Sequence, residues 1–195
     1  SLPLHVFEER YKCMIQNCLD SDSLFGVVLI KSGVEVGGSA EPYSVGTIAN
    51  ITQVNRLDDG RMILNITGQI PFRIVDLDKT KPYFMAQIKT LGEENSDTIT
   101  SDELQKICGA IKKHLRLIIG AKGGWVEEPK LPNDPVSLSY LIAPALQIDL
   151  PQKQELLEER NTLERLKKEL QIIEQEAEPL RQIVDRYFGS KFSRQ

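Results

Sequence analysis

The sequence predicts an α+β protein: a β-rich part, built as a closed barrel or a sandwich, followed by helices that end in one long helix. Three observations carry that prediction. Up to about residue 98, apolar residues come in short strand-like runs separated by glycine, proline and aspartate. From Thr100 the apolar spacing changes to the 3.6 residues of a helix. Beyond Gln152 the apolar residues recur every seven positions. Residues 1–98 are therefore expected to form a β-rich subdomain and residues 99–195 a helical one.

The opening SLPLHV suits a strand or the end of one, and the expectation is that a first strand lies outside the sequence. FEERYKCMIQNCLD then sets Phe7, Tyr11, Met14, Ile15 and Cys18 at helical spacing, and the polar residues Asp20 to Ser23 end that helix. FGVVLIKSG is a continuous apolar run closed by Gly33, as a buried strand requires. VGTIANITQVNRL and RMILNITG are strands joined at Asp58-Asp59-Gly60, where Asp-Gly supplies the positive φ of a hairpin turn. IPFRIVDLD and KPYFMAQIKTL are two more strands, with Pro71 and Pro82 at their starts, where a missing N–H does least harm.

EENSDT breaks this pattern. Thr100 and Glu103 then have the spacing of a capping box, in which each side chain satisfies the other's free backbone N–H. Leu104, Ile107, Ile111, Leu115 and Ile118 form the apolar stripe of the helix that follows, and Gly120 ends it. Asp134-Pro135 reads as an N-cap followed by a first-turn proline. That helix carries Leu138, Leu141, Ile142 and Leu146, with a kink or break expected at Pro144. The final helix, over 152–187, has Leu156, Leu163, Leu170, Ala177 and Val184 on one heptad position and Leu166, Ile173, Leu180 and Tyr187 on another. Pro179 is expected to bend or restart it. Such a seam either closes an intramolecular bundle or pairs with a second chain as a homodimer.

Hydrophobic residues at 41% and charged residues at 27% argue for a globular chain and against disorder. No apolar run approaches the roughly 20 residues of a membrane helix, and the start has no signal-peptide pattern. Three cysteines, Cys13, Cys18 and Cys108, suit reduced thiols in a cytoplasm-like compartment, and nothing completes a zinc site with them. Residues 1–100 hold nine Lys+Arg against thirteen Asp+Glu, and residues 101–195 hold fifteen of each. The acidity thus belongs to the first half, which disfavours nucleic acid as its partner, since that affinity rests on cations neutralising phosphates. The dense basic cluster KKHLR, at 112–116, lies on an amphipathic helix and reads as a solvated face.

LPLHVFEERY, FGVVLI, EVGGSAE, VGTIANITQ, DDGRMILNITGQIPFRI, KPYFMAQI, LPNDPVSLSYLIAPAL and QKQELLEERNTLERL occur in that order. As an ordered set they resemble the Lon N-terminal, or substrate-binding, domain, to about residue 170. The resemblance implies a PUA-like β pseudo-barrel followed by a helical bundle ending in a long helix. Family members carry an apolar strand ahead of the opening motif, which is lacking here, and commonly proline where this chain has Glu9. Glutamate suits the first turn of a helix, so that helix is expected to survive. The resemblance further implies a stand-alone Lon-domain protein or a piece of a longer protease. Its role would be to bind unfolded or tagged polypeptide in the cytoplasm, with an ATP-dependent protease or other modules as partners and no cofactor.

Catalytic motifs are missing from the sequence. No GxxxxGK followed by Ser or Thr is present to cradle phosphates, and the glycines of VGGSA and KGGW lack that Lys-Ser/Thr. There is no GxSxG and no arrangement resembling Lon's Ser-Lys peptidase site. His5 and His114 lie in apolar surroundings on different halves and read as structural; Asp58-Asp59 and Glu127-Glu128 read as solvated loop carboxylates. The expectation is a recognition module and not an enzyme. Its candidate polypeptide contacts are the aromatic residues Tyr43, Tyr83, Phe84 and Trp125, the last flanked by glycine in a loop. The competing readings are an RNA-binding module of PUA type and an assembly module acting through the long helix.

Overall fold

Two strands of the first part, of 16 and 17 residues, are long enough to organise the rest. A computed structural model of the chain describes residues 2–34, 40–94, 99–125 and 128–192, with side chains as far as residue 187. Residues 35–39 of EVGGSAE, 95–98 of EENSDT, Glu127 and the tail beyond 192 lie outside the described residues. The chain divides into two compact units, Ser1–Gly92 and Glu93–Gln195.

In the first unit the order is β1 (Leu2–Val6), α1 (Glu9–Leu19), β2 (Leu24–Ser32), β3 (Glu41–Arg56), β4 (Met62–Asp78) and β5 (Met85–Thr90). The strands form one antiparallel sheet in the order β1-β4-β3-β2, with β5 also paired to β4. The opening LPLHV is a strand, as its residues suggest: Leu2 to Val6 pair with Ile66 to Met62. Val6, Ala49, Ile51, Met62, Leu64 and Ile66 form the core with Ile15 of α1, and Tyr11, Met14 and Cys18 pack on it from the same helix. The hairpin between β3 and β4 turns at Gly60, whose φ is 79°, with Asp59 accepting the Arg61 N–H.

RMILNITG and IPFRIVDLD, expected as separate strands, are one 17-residue strand, so Pro71 lies inside β4 and not at a strand start. The Pro71 carbonyl accepts from Leu91, on the β5 side of the strand. In an antiparallel ladder a residue's N–H and C=O point the same way. The missing N–H therefore falls where β5 pairing ends, and the ladder to β3 is undisturbed. KPYFMAQIKTL is likewise strand only from Met85, leaving Tyr83 and Phe84 in the bend before it. All six residues of β5 are exposed.

Phe72 of β4 packs flush against the neighbouring strands because two of their residues have no side chain. A Cβ on Gly26 would lie 2.9 Å from Phe72 Cζ, and one on Gly46 would lie 2.4 Å from Val28 Cγ1 and 2.5 Å from the Val27 carbonyl oxygen. Backbone cannot yield as a flexible side chain can. Gly46→Ala is expected to lower the unfolding free energy by about 1–3 kcal/mol through overpacking, measured by urea denaturation.

The second unit runs α2 (Ser101–Ala121), α3 (Pro135–Ile142), a 3-10 turn at Ala143–Ala145, α4 (Leu150–Glu158) and α5 (Thr162–Phe192). The Thr100–Glu103 capping box closes both ways, and Asp134 Oδ2 accepts the Ser137 N–H at 2.8 Å. Pro144 ends α3 as a 3-10 turn. Asp149 and Gln152 form a second capping box, at the start of α4. Ile107, Ile111, Leu138, Ile142, Leu146, Leu156, Leu166 and Ile173 make the core.

The expected single helix over 152–187 is two helices, broken at Glu159–Asn161. The cause is a buried guanidinium. Arg165 Nε donates to Ser139 Oγ at 2.6 Å, Nη1 to the Glu159 carbonyl, and Nη2 to both carboxylate oxygens of Glu93 at 3.1 and 3.2 Å. Glu93 also accepts from Tyr140 and Thr162, and the Arg165 guanidinium lies 4.2 Å from the Tyr140 ring centre. Turning the Glu159 carbonyl onto Arg165 takes it out of helical use. The freed backbone pairs with Glu94, whose N–H bonds the Arg160 carbonyl, and Asn161 Oδ1 caps the new helix. At Pro179, by contrast, α5 continues unbroken, with Ile173 before it and Leu180 after it both buried.

Glu93 is the carboxylate paired with Arg165, and the nearby Glu169 is pushed toward its neutral form. Burial pushes its carboxyl from 4.5 up to about 8, against the pull of Ser139 and Arg165. The folded state therefore holds a proton that the unfolded chain has released between those values. Stability from this group is fully present below about pH 4.5 and is lost as pH rises toward about 8. Glu169→Gln should flatten that part of the melting-temperature profile, read as the difference between variant and parent across this window.

Candidate functional site

β1 and β2 stand at opposite ends of the sheet, yet both line one groove of about 430 Å³ in the first unit, so the sheet curls until its ends face the same space. Leu4, His5 and Val6 of β1 form one side, and Phe25 to Val28 with Ile30 of β2 the other. Phe7 and Glu8 lead into α1, which adds Arg10, Tyr11, Met14 and Ile15, while Ala40, Pro42, Tyr83 and Phe84 complete the wall. A lining so rich in apolar side chains, with polar groups few and mostly at one part, is the general character of a binding cleft.

Two of the four expected contact residues meet here. Tyr83 is buried, 6% exposed, and its hydroxyl accepts from Asn17 Nδ2 at 3.0 Å, which pins the bend before β5 to α1. Phe84 beside it is 43% exposed. Trp125 is 83% exposed but belongs to the second unit, and Tyr43, half-buried on β3, does not line the groove. His5, expected in apolar surroundings, is exposed, with its ring 5.7 Å from that of Phe7. Sequence reasoning did not single out Phe7, Phe25 or Pro42. The available signal was Phe7, an aromatic residue placed ahead of the helix whose apolar face it was read with.

Cations rest on the aromatic rings of this groove. Arg10 lies 4.4 Å from the Tyr11 ring centre, Lys79 5.3 Å from that of Phe84, and Lys81 5.8 Å from that of Tyr83. Glu8, the carboxylate in the lining, bonds Arg10 Nε at 2.9 Å. β2 pairs only with β3 among the described residues. The Ile51 N–H donates to the Ser23 carbonyl, so alternation along the ladder turns the N–H and C=O of Gly26 and Val28 toward the open edge, while the Leu24 N–H is taken by Asp22 Oδ1 at 3.0 Å.

The second unit has a smaller cavity, about 290 Å³, lined by Tyr140, Ala143, Pro144, Lys153, Leu156, Leu157 and Arg165. Each Arg165 nitrogen is engaged within the protein, which marks the group as structural. His114 is buried, with Nε2 3.2 Å from Glu176 Oε2 but without hydrogen-bond geometry. Burial lowers the His114 pKa and raises that of Glu176, so both tend toward the neutral form. The KKHLR cluster is thus no uniform basic face: His114 points inward and Lys112 pairs with Glu128. On α5, Leu166, Ile173 and Leu180 are buried inside the unit, and among its described side chains Ile183 and Tyr187 are the exposed large apolar ones. Among the described residues no cluster of three His, Cys, Asp or Glu could hold a metal, and no helix is long and apolar enough to cross a membrane.

The sequence pattern of the ATP-dependent protease La (LON) substrate-binding domain matches residues 1–175. The chain belongs to that family. Lon protease of Amoebophilus asiaticus is 27% identical over 74% of this Lon domain and 18% of its own length. Lon protease 2 of Bdellovibrio bacteriovorus is 28% identical over 91% and 23% respectively. The chain thus spans about a fifth of these relatives. Among solved structures, the Lon N-terminal domain protein from Xanthomonas campestris superposes with a TM-score of 0.64 at 21% identity, covering 86% of each chain. The N-terminal domain of Mycobacterium avium complex Lon protease gives 0.60 at 18%, covering 89% and 90%. These structures share the mixed α+β fold. In this Lon domain, Tyr83→Phe removes the bond to Asn17 and should cost about 0.5–1.5 kcal/mol, measured by chemical denaturation.

Proposed function

We propose that the chain is a non-catalytic recognition module that holds an extended segment of unfolded or tagged polypeptide in the groove of its first unit. The observation that carries this reading is the groove itself: an apolar cleft bordered by a strand edge whose backbone groups are open. Such an edge offers main-chain hydrogen bonds to any extended chain, and the apolar wall accepts alternate side chains of it. Membership in a substrate-binding domain family supports the same conclusion.

On this reading the curled sheet is the PUA-like pseudo-barrel of the family and the helices its bundle. The partner that processes the captured polypeptide is an ATP-dependent protease, as the names of the relatives suggest. Free Cys13, Cys18 and Cys108 accord with work in the reducing cytoplasm. Phe84 is the proposed central contact, with Tyr83 fixing its position; Tyr43 of the same unit is an outlying contact, and Trp125 is a separate candidate contact of the second unit.

The test is fluorescence anisotropy of the chain with a labelled, permanently unfolded polypeptide, and separately with labelled single-stranded RNA. The expected outcome is binding of the polypeptide, weakened about tenfold by Phe84→Ala, as for an aromatic anchor. Trp125→Ala should have a smaller effect. Loss in Trp125→Ala with Phe84→Ala unchanged would move the main site to the second unit. Binding of RNA alone, falling steeply with salt, would replace the proposal.

A further inference from the structure

The cations at the groove have an effect that the apolar lining alone does not. Lys79 and Lys81 each sit near the face of a ring that lines it, Phe84 and Tyr83 respectively. A cation so placed is attracted by the ring's negative face and stays beside it. Neither lysine belongs to an ion pair among the described residues. Asp78, whose carboxylate lies near Lys81, is already engaged by the Thr80 N–H at 2.8 Å. The carboxylate of Glu8, in the lining itself, is bonded to Arg10.

The positive character is local. Residues 1–92 hold nine Lys+Arg against ten Asp+Glu, so the unit as a whole does not attract anions. A ligand gains from these lysines only by placing negative charge within a few ångströms of them, since exposed charges beyond about 10 Å are screened at ordinary salt. A nucleic acid needs a track of cations along its backbone. Two lysines from one bend, beside two adjacent rings of an apolar cleft, fit a ligand that is mainly apolar and carries charge at one place.

Resting on the groove reading above, we propose that the groove selects extended apolar segments flanked by acidic side chains, with Lys79 and Lys81 receiving the carboxylates beside Phe84 and Tyr83. The partner class is an acidic-apolar polypeptide segment, and basic flanks are selected against.

The experiment uses the full chain and three labelled peptides that share one apolar core but carry acidic, neutral or basic flanks. Affinities are read by anisotropy at low and raised salt, for the parent and for the Lys79→Gln/Lys81→Gln double variant. The acidic peptide should bind about tenfold more tightly than the basic one, the sum of a few exposed ion pairs. That gap should close at raised salt and in the double variant, while the neutral peptide binds both proteins alike, which shows that the variant is folded. Equal binding of all three peptides to the parent would overturn the acidic preference and leave the groove reading standing. Binding of none would overturn both. Displacement of the acidic peptide by single-stranded RNA at equal charge concentration would assign the lysines to phosphates instead.

Discussion

Much of the second unit depends on keeping one guanidinium ionised without water. Arg165 is fully buried, and a buried charge survives only where it is paired and its donors are satisfied. Five residues supply that environment, from α3, α5, the break before α5 and the segment that opens the unit: Ser139, Tyr140, Thr162, Glu159 and Glu93. Each is held in turn by the requirement. Glu159 gives up its helical carbonyl, Ser139 relays Arg165 to Glu169 through one hydroxyl, and Tyr140 is confined enough that its own pKa rises to about 12. The break between α4 and α5 is thus an electrostatic solution and not a weakness in helix propensity.

The first unit is organised by a steric constraint instead. Its sheet curls tightly because Gly26 and Gly46 let Phe72 approach where any side chain would collide. Curling brings the two ends of the sheet to one groove, and α1 supplies its remaining wall. The substitution-sensitive interior and the candidate binding surface are therefore coupled. The side chains that shape the groove lie on the same strands whose close contact bends the sheet.

Features that depend on neighbours in sequence were legible there. Asp-Gly turned the hairpin, Thr100 with Glu103 capped α2, and Asp134-Pro135 opened α3. The family was legible as well, because its motifs occur in order along the chain. What escaped were features set by distant partners. At Glu159–Asn161 the one local cue was Asn161, a residue type that caps helix starts; the partner that holds the break, Glu93, lies 72 residues from Arg165. Pro71 read as a strand boundary because the direction of its missing N–H is decided by β5. The groove was only half visible, since its walls come from separate segments and their convergence is tertiary. Tyr83 and Phe84 were picked out as aromatic residues, while Phe7 and Phe25 looked like ordinary members of a helix and a strand.

The exposure of β5 has a further consequence. Its outer edge carries no partner strand among the described residues, both of its faces meet solvent, and Met85 and Ile88 are among the side chains shown. An exposed edge of this kind is a template for aggregation, able to add strands from other molecules in a cross-β manner. The chain holds such stacking in check with charge: Lys89 lies on the strand, opposite Arg73, and Asp76 and Asp78 lie along its partner. Like charges brought into register by stacked copies would repel, so these residues act as gatekeepers of solubility.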